Sequence, residues 1–223
     1  MKLNPTRVAA TLVLVGPVSP ALFHPEWFKS NGLIKAREAD SAEIQMVNSN
    51  ISLFKNDWLN VDVRPERIQL RTEQEPFFPV LRDLALGCLN CLPRVPFRQL
   101  GINWEYSIQF PDRGSYDNFG HALAPKAPWQ DVVKNPGMLG VAMQSDQDDG
   151  YEGTRNYSVR PDLSGDVSFQ AIISHNDHYS FESKEVRSPN LVIECISERW
   201  EGSRANFDRV ASHLLEVSCA QGK

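Results

Sequence analysis

Apolar and polar positions alternate in short runs along the chain, each bounded by turn-forming residues. Residues 8–15 are a Val- and Leu-rich stretch closed by Gly16-Pro17, the pattern of a buried strand. Residues 43–47 and 51–54 flank the turn-like Asn48-Ser49-Asn50. Residues 58–63 and 67–72 flank Arg64-Pro65-Glu66. Within them Leu59, Val61 and Val63, then Ile68 and Leu70, alternate with polar residues, as on a half-buried sheet. Residues 100–110 repeat this, with Ile102, Trp104, Tyr106 and Ile108 on one face. Residues 138–144, 154–159, 167–174 and 191–196 complete the predicted strands.

The period changes at Phe77. Phe77, Phe78, Leu81, Leu84, Ala85, Cys88 and Leu92 recur every three or four positions, the stripe of an amphipathic helix between Pro76 and Pro93. Pro25-Glu26-Trp27-Phe28 opens a short helix that Asn31-Gly32 stops. Another short helix is expected over residues 129–134. Phe207, Val210, Ala211, Leu214 and Val217 predict a closing helix with Asn206 as its N-cap. Residues 112–128 have little periodicity and read as a segment without regular structure.

The order of elements repeats. Val61-Asp62-Val63-Arg64-Pro65 is matched by Tyr157-Ser158-Val159-Arg160-Pro161, and a strand follows each. Residues 8–15 align with 102–109, and each half ends in an amphipathic helix. The expectation is one domain over residues 1–223, built from pseudo-repeats at about 7–95 and 99–219. Its class is α+β: two β-α-β(3-4)-α halves forming a mainly antiparallel, curved sheet with two long helices on one face. Val63 should then correspond to Val159, and Phe78, Leu81, Ala85 and Cys88, with Phe207, Val210, Leu214 and Val217, should face the sheet.

This order resembles the duplicated arrangement of TATA-binding-protein-like, or helix-grip, folds. It is also similar to a sporadically distributed family of uncharacterised bacterial proteins of about this length, which share the aromatic-rich central strand seen in Gly101-Ile102-Asn103-Trp104-Glu105-Tyr106. The resemblance implies a fold and brings no catalytic residue with it.

Composition narrows the function classes. The 223 residues are 41% hydrophobic and 23% charged, an ordinary globular balance. A net charge of −5 disfavours a nucleic-acid binder that works through bulk electrostatics. The apolar run at 8–15 is too short to span a bilayer and lacks a small-x-small cleavage site, so no membrane association is expected; a reducing, cytoplasmic location is the expectation from the four cysteines, which form no disulfide framework. Cys88-Leu89-Asn90-Cys91 has no second pair at metal-binding spacing, and Cys195 and Cys219 stand apart; all four read as buried apolar residues. No cofactor is expected.

The candidate chemistry is sparse. His175-Asn176-Asp177-His178 places two histidines at i and i+3, a weak metal or catalytic candidate. As residues of a strand they would face opposite ways, and the cluster reads better as a polar turn after residues 167–174. The acidic segment from Asp146 to Glu152 departs from a calcium loop at its sixth position, Tyr151, and reads as a solvated hairpin loop. No nucleophile elbow or phosphate-binding glycine motif is present. The 15 Arg outnumber the 8 Lys. Arg64, Arg67, Arg71 and Arg160 cluster on or near the repeated strands, where they could grip phosphate or carboxylate or simply pair with Asp62, Glu66 and Asp162. Trp104, Tyr106 and Tyr157 are candidate contact aromatics. The leading expectation is a non-enzymatic interaction or adaptor protein, part of a bacterial multi-component system, with a protein partner or a second copy. The alternative is a nucleic-acid or small-ligand binder using the concave sheet face. An enzyme acting through His175 and His178 ranks third.

Overall fold

The computed structural model describes residues 3–163, 169–182 and 189–220. Its strands are β1 (Arg7–Val15), β2 (Glu43–Val47), β3 (Ser52–Lys55), β4 (Asn60–Arg64), β5 (Arg67–Thr72), β6 (Gln99–Gln109), β7 (Val141–Asp146), β8 (Gly153–Pro161) and β9 (Gln170–Ser180). Its helices are α1 (Pro25–Ser30), α2 (Ala36–Asp40), α3 (Phe78–Cys91), α4 (Arg113–Leu123) and α5 (Pro189–Ala220). The protein is α+β. All nine strands join one curved sheet in the order β2-β3-β4-β5-β1-β6-β9-β8-β7, and every adjacent pair is antiparallel.

Alternation along the strands gives the sheet an apolar face. Leu12 sits between Leu70 and Ile102, and Leu14 between Ile68 and Leu100, all fully buried. Helix side chains close this face. Trp104 meets Phe78 of α3 at 5.4 Å between ring centroids and Trp200 of α5 at 4.7 Å. Tyr106 packs on Phe207 of α5, and Phe54 on Phe28 of α1. The α3 stripe is buried as its spacing predicts, through Phe78, Leu81, Leu84, Ala85, Cys88 and Leu89.

Several elements differ from the sequence reading. The apolar run at 191–196 is the first turns of α5, not a strand. Val192, Ile196, Trp200, Ser203, Phe207, Ala211 and Leu215 form one buried stripe along this 32-residue helix. Asn206 is therefore mid-helix rather than a cap. The stripe also rotates the inward face: Phe207 is buried as expected, but Val210 and Leu214 are only half-buried, displaced by Ala211 and Leu215, and the side chain of Val217 lies outside the described residues. Residues 112–128 contain α4, which Asp112 caps by accepting from the Ser115 backbone N–H at 2.7 Å. Residues 129–134 form turns rather than a helix. The strand expected at 167–174 is β9, shifted to Gln170–Ser180; residues 167 and 168 lie outside the described residues. The shift places His175 to His178 within the strand instead of in a turn. Cys88 and Cys195 are buried free thiols, and Cys91 is half-buried. Among the described residues no helix is long and apolar enough to cross a membrane.

Candidate functional site

Register brings together what the linear chain separates. Starting from the central pair Thr11 and Asn103, neighbours across one half of the sheet are Arg71, Asn60, Lys55 and Glu43. Across the other half they are Asn176, Asn156 and Gln144. Cross-strand neighbours share a face, so one row of nine polar side chains crosses all nine strands on the face opposite Leu12 and Trp104. The row is hydrogen-bonded along its second half. Asn103 donates from Nδ2 to the Thr11 carbonyl at 3.2 Å. Asn176 Nδ2 donates to Asn103 Oδ1 at 2.6 Å, Asn156 Nδ2 to Asn176 Oδ1 at 3.4 Å, and Gln144 Nε2 to Asn156 Oδ1 at 2.8 Å.

Gly101 makes room for this ladder. A Cβ there would stand 3.2 Å from the side-chain nitrogens of both Asn103 and Asn176. The strands flanking the ladder bend around a cleft of about 470 Å³, lined from Gln69 and Arg71 of β5 across to Gln144 of β7. A flat sheet would hold β5 and β7 about 24 Å apart, five strand spacings of roughly 4.8 Å; curvature brings them to one cavity. The next row, Ala9, Glu105, Ser174, Ser158 and Ala142, supplies the cleft's second line of side chains.

The charges beside the cleft are engaged with one another. Glu105 lies between Arg71 at 3.2 Å and Arg160 at 3.8 Å. Arg71 also pairs with Glu73 at 3.0 Å and reaches Thr11 Oγ1 at 3.4 Å. Arg64 and Arg67 both pair with Asp62, at 2.8 and 3.6 Å. Of the four arginines, the structure thus brings Arg71 and Arg160 together on one carboxylate and leaves Arg64 and Arg67 at another. The three aromatics turn the other way. Trp104 and Tyr106 are buried against α5, Trp104 donating to Ser203 Oγ at 2.8 Å and Tyr106 bonded to Asp208 at 2.5 Å. The Tyr157 hydroxyl accepts from Asn206 Nδ2 at 2.8 Å.

The two histidines are separated by the sheet. His178 is on the ladder side. His175 is buried beneath α5 between Tyr157 and Phe207. Its Nε2 lies 2.9 Å from Asp177 Oδ2. Asp177, 1% exposed, also accepts from Arg155 Nε at 3.1 Å and Gln147 Nε2 at 3.2 Å. Burial works against the Asp177 carboxylate, but hydrogen bonding and charge from His175, with help from Ser203 and Gln147, hold its pKa below the ordinary value. Arg155 carries the network out to Asp148 and Asp149 in the β7–β8 loop. Those aspartates, read from sequence as part of a solvated loop, are thus tied to the buried network. Among the described residues no group of three or more His, Cys, Asp or Glu side chains is arranged to hold a metal ion.

Asn103, Asn156, Asn176 and Gln144 were not singled out by the sequence, because each is one polar residue on a different alternating strand and only register aligns them. No protein-family model matches the chain, and no curated protein matches it.

Proposed function

We propose that the protein is a non-enzymatic binding protein that receives a small polar ligand on the concave face of its sheet. The amide ladder over the cleft carries this reading. An ordinary solvated sheet face is polar. Here, however, four side chains from four strands are fixed to one another along the floor of a cavity of ligand size. The charged groups beside it are neutralised by their neighbours, which suits positioning rather than proton transfer. Phosphate-gripping or base-stacking recognition has less support: the arginines are paired, and Trp104, Tyr106 and Tyr157 face α5.

Duplication of a β-α-β(3-4)-α unit would explain why the cleft is central. Read outward from the β1–β6 seam, the strands are β1, β5, β4, β3, β2 on one side and β6, β9, β8, β7 on the other, so the first side has one strand more, and Val63 and Val159 fall on the third strand of each, β4 and β8. In that reading α3 and α5 are equivalent helices on one face, and the site lies at the junction of the halves. The test is a screen of polar metabolites against isotope-labelled protein, followed through the side-chain amide resonances of Asn103, Asn156, Asn176 and Gln144. A compound that moves these resonances supports the reading; a broad screen in which none does so refutes it.

The adaptor reading is favoured by one different observation. Trp129, Val132, Val133 and Leu139, in the segment leading to edge strand β7, and Met143 on that strand, are exposed apolar residues. A protein partner would cover them. Light scattering and native-host pull-down with wild type and Leu139→Asp test this; recovery of a partner by the wild type alone supports it, and identical behaviour of the two removes it.

A further inference from the structure

We infer that the ligand of the concave cleft is an uncharged, polyhydroxylated molecule, a sugar or related polyol. The inference rests on the reading of this face as a ligand site. Its basis is what the ladder leaves unused. A carboxamide has two N–H donors and two acceptor lone pairs. Within the ladder Asn103 and Asn176 each spend one donor and one lone pair. Each therefore retains one donor and one acceptor, fixed in direction by the bonds already made. A hydroxyl donates and accepts at the same atom, so neighbouring hydroxyls complement such a row. Thr11, Ser158 and Ser174, which also line the cleft, add groups of the same dual character.

Other chemistries fit less well. A phosphate or carboxylate would have to take Arg71 or Arg160 away from Glu105, with no spare positive charge gained. An apolar ligand would meet Ala9, Val13, Ala142, Met143, Trp104 and Tyr157, but would leave the ladder amides and the hydroxyls of Thr11, Ser158 and Ser174 without partners. An extended peptide binds sheets chiefly by backbone pairing at an edge. Here β1, β6, β9 and β8 are interior strands whose backbone groups are already paired on both sides, and the open edge at the cleft, that of β7, stands at its end rather than along the ladder. The cleft volume of about 470 Å³ is of small-molecule size.

Saturation-transfer and amide-shift NMR tests this with the intact protein. The probes are neutral mono- and disaccharides and inositol, compared with sugar phosphates and a neutral Asn- and Gln-rich peptide. At least one neutral sugar or polyol is expected to move the Asn103, Asn156 and Asn176 side-chain resonances. Asn176→Ala should weaken that binding about tenfold or more, since a tenfold change corresponds to the loss of about one good hydrogen bond. Gly101→Ala, which crowds two ladder amides without removing either, should weaken it as well. Asn60→Ala, in the same row but outside the cleft, should leave it unchanged. Thermal melts identify any variant that fails to fold, and the remaining two then decide. Binding of the peptide or of a phosphate at the ladder, with no neutral sugar or polyol bound, overturns the inference and leaves the ligand-site reading standing. So does sugar binding that neither Asn176→Ala nor Gly101→Ala affects. Silence of the ladder toward every probe and toward the broad metabolite screen overturns both.

Discussion

Removing the carboxylate of Asp177 should unfold the protein more readily than any single change on the ladder face. The Asp177 side chain is 1% exposed and lies among His175, Arg155 and Gln147. Asp177→Ala removes the acceptor of Arg155 Nε and of Gln147 Nε2 in a buried site, a class of change that costs about 3–5 kcal/mol. Arg155 retains Asp148 and Asp149, which places the expected loss toward the lower end, about 3 kcal/mol. Asp177→Asn keeps the Oδ1 acceptor and loses the charge, so about 1–2 kcal/mol is expected, the difference between a charged and a neutral hydrogen bond. In urea, with a slope of roughly 3 kcal/mol/M for a chain of this size, the alanine variant should lower the midpoint by about 1 M. The folded carboxyl titrates below its ordinary value. Its stabilisation is therefore complete above the unfolded carboxyl's pKa of about 3.9 and disappears as pH falls through the lower folded value. The gap between wild type and Asp177→Asn should be present at pH 5 and close below about pH 4. A loss under about 1 kcal/mol for Asp177→Ala, or a gap that persists undiminished at pH 2, would refute the account of this network.

Three further outcomes follow from packing. Leu81→Ala, at a fully buried α3 position, should cost about 2–5 kcal/mol by denaturant titration. Gly153→Ala should destabilise by at least about 1–3 kcal/mol, because Gly153 has φ +153° and a Cβ would stand 1.9 Å from the His178 carbonyl oxygen; a variant as stable as wild type would show that β8 and β9 meet differently. Burial pushes the thiols of Cys88 and Cys195 well above their ordinary range, so at pH 8 both should resist iodoacetamide in the native protein and react once urea unfolds it, as read by peptide mass spectrometry.

What the sequence revealed was local. The alternation in 59–63 and 67–72, and the stripe from Phe78 to Cys88, each express a burial pattern within one element, and those elements stand where expected. The misread segments are ones where tertiary context decides. Leu191 to Ile196 is an apolar run of strand length, and only its continuation through Trp200, Phe207 and Leu215 marks a helix. Helix α4 contains Gly114 and Gly120 and buries only Phe119, so neither propensity nor periodicity announces it. His175-Asn176-Asp177-His178 resembles a turn because a strand with buried His175 and Asp177 on one face and a polar row on the other has no apolar alternation there. The ladder itself was illegible for a different reason: Thr11, Asn103, Asn176, Asn156 and Gln144 become neighbours only through register, which no window along the chain contains.

The central position of β1 has a consequence for how the protein is made. Its two partners, β5 and β6, begin at Arg67 and Gln99. At a synthesis rate of about 5–20 residues per second, β1 waits roughly 3–12 s for its first partner and some 2–6 s more for its second. During that second interval the β1–β5 half can close under α3, while the other edge of β1 remains an unpaired template with Ala10, Leu12 and Leu14 along its apolar side. Arrival of β6 then seals the seam and creates the Thr11–Asn103 pair. The step that pairs this open edge of β1 is thus the same step that assembles the centre of the cleft.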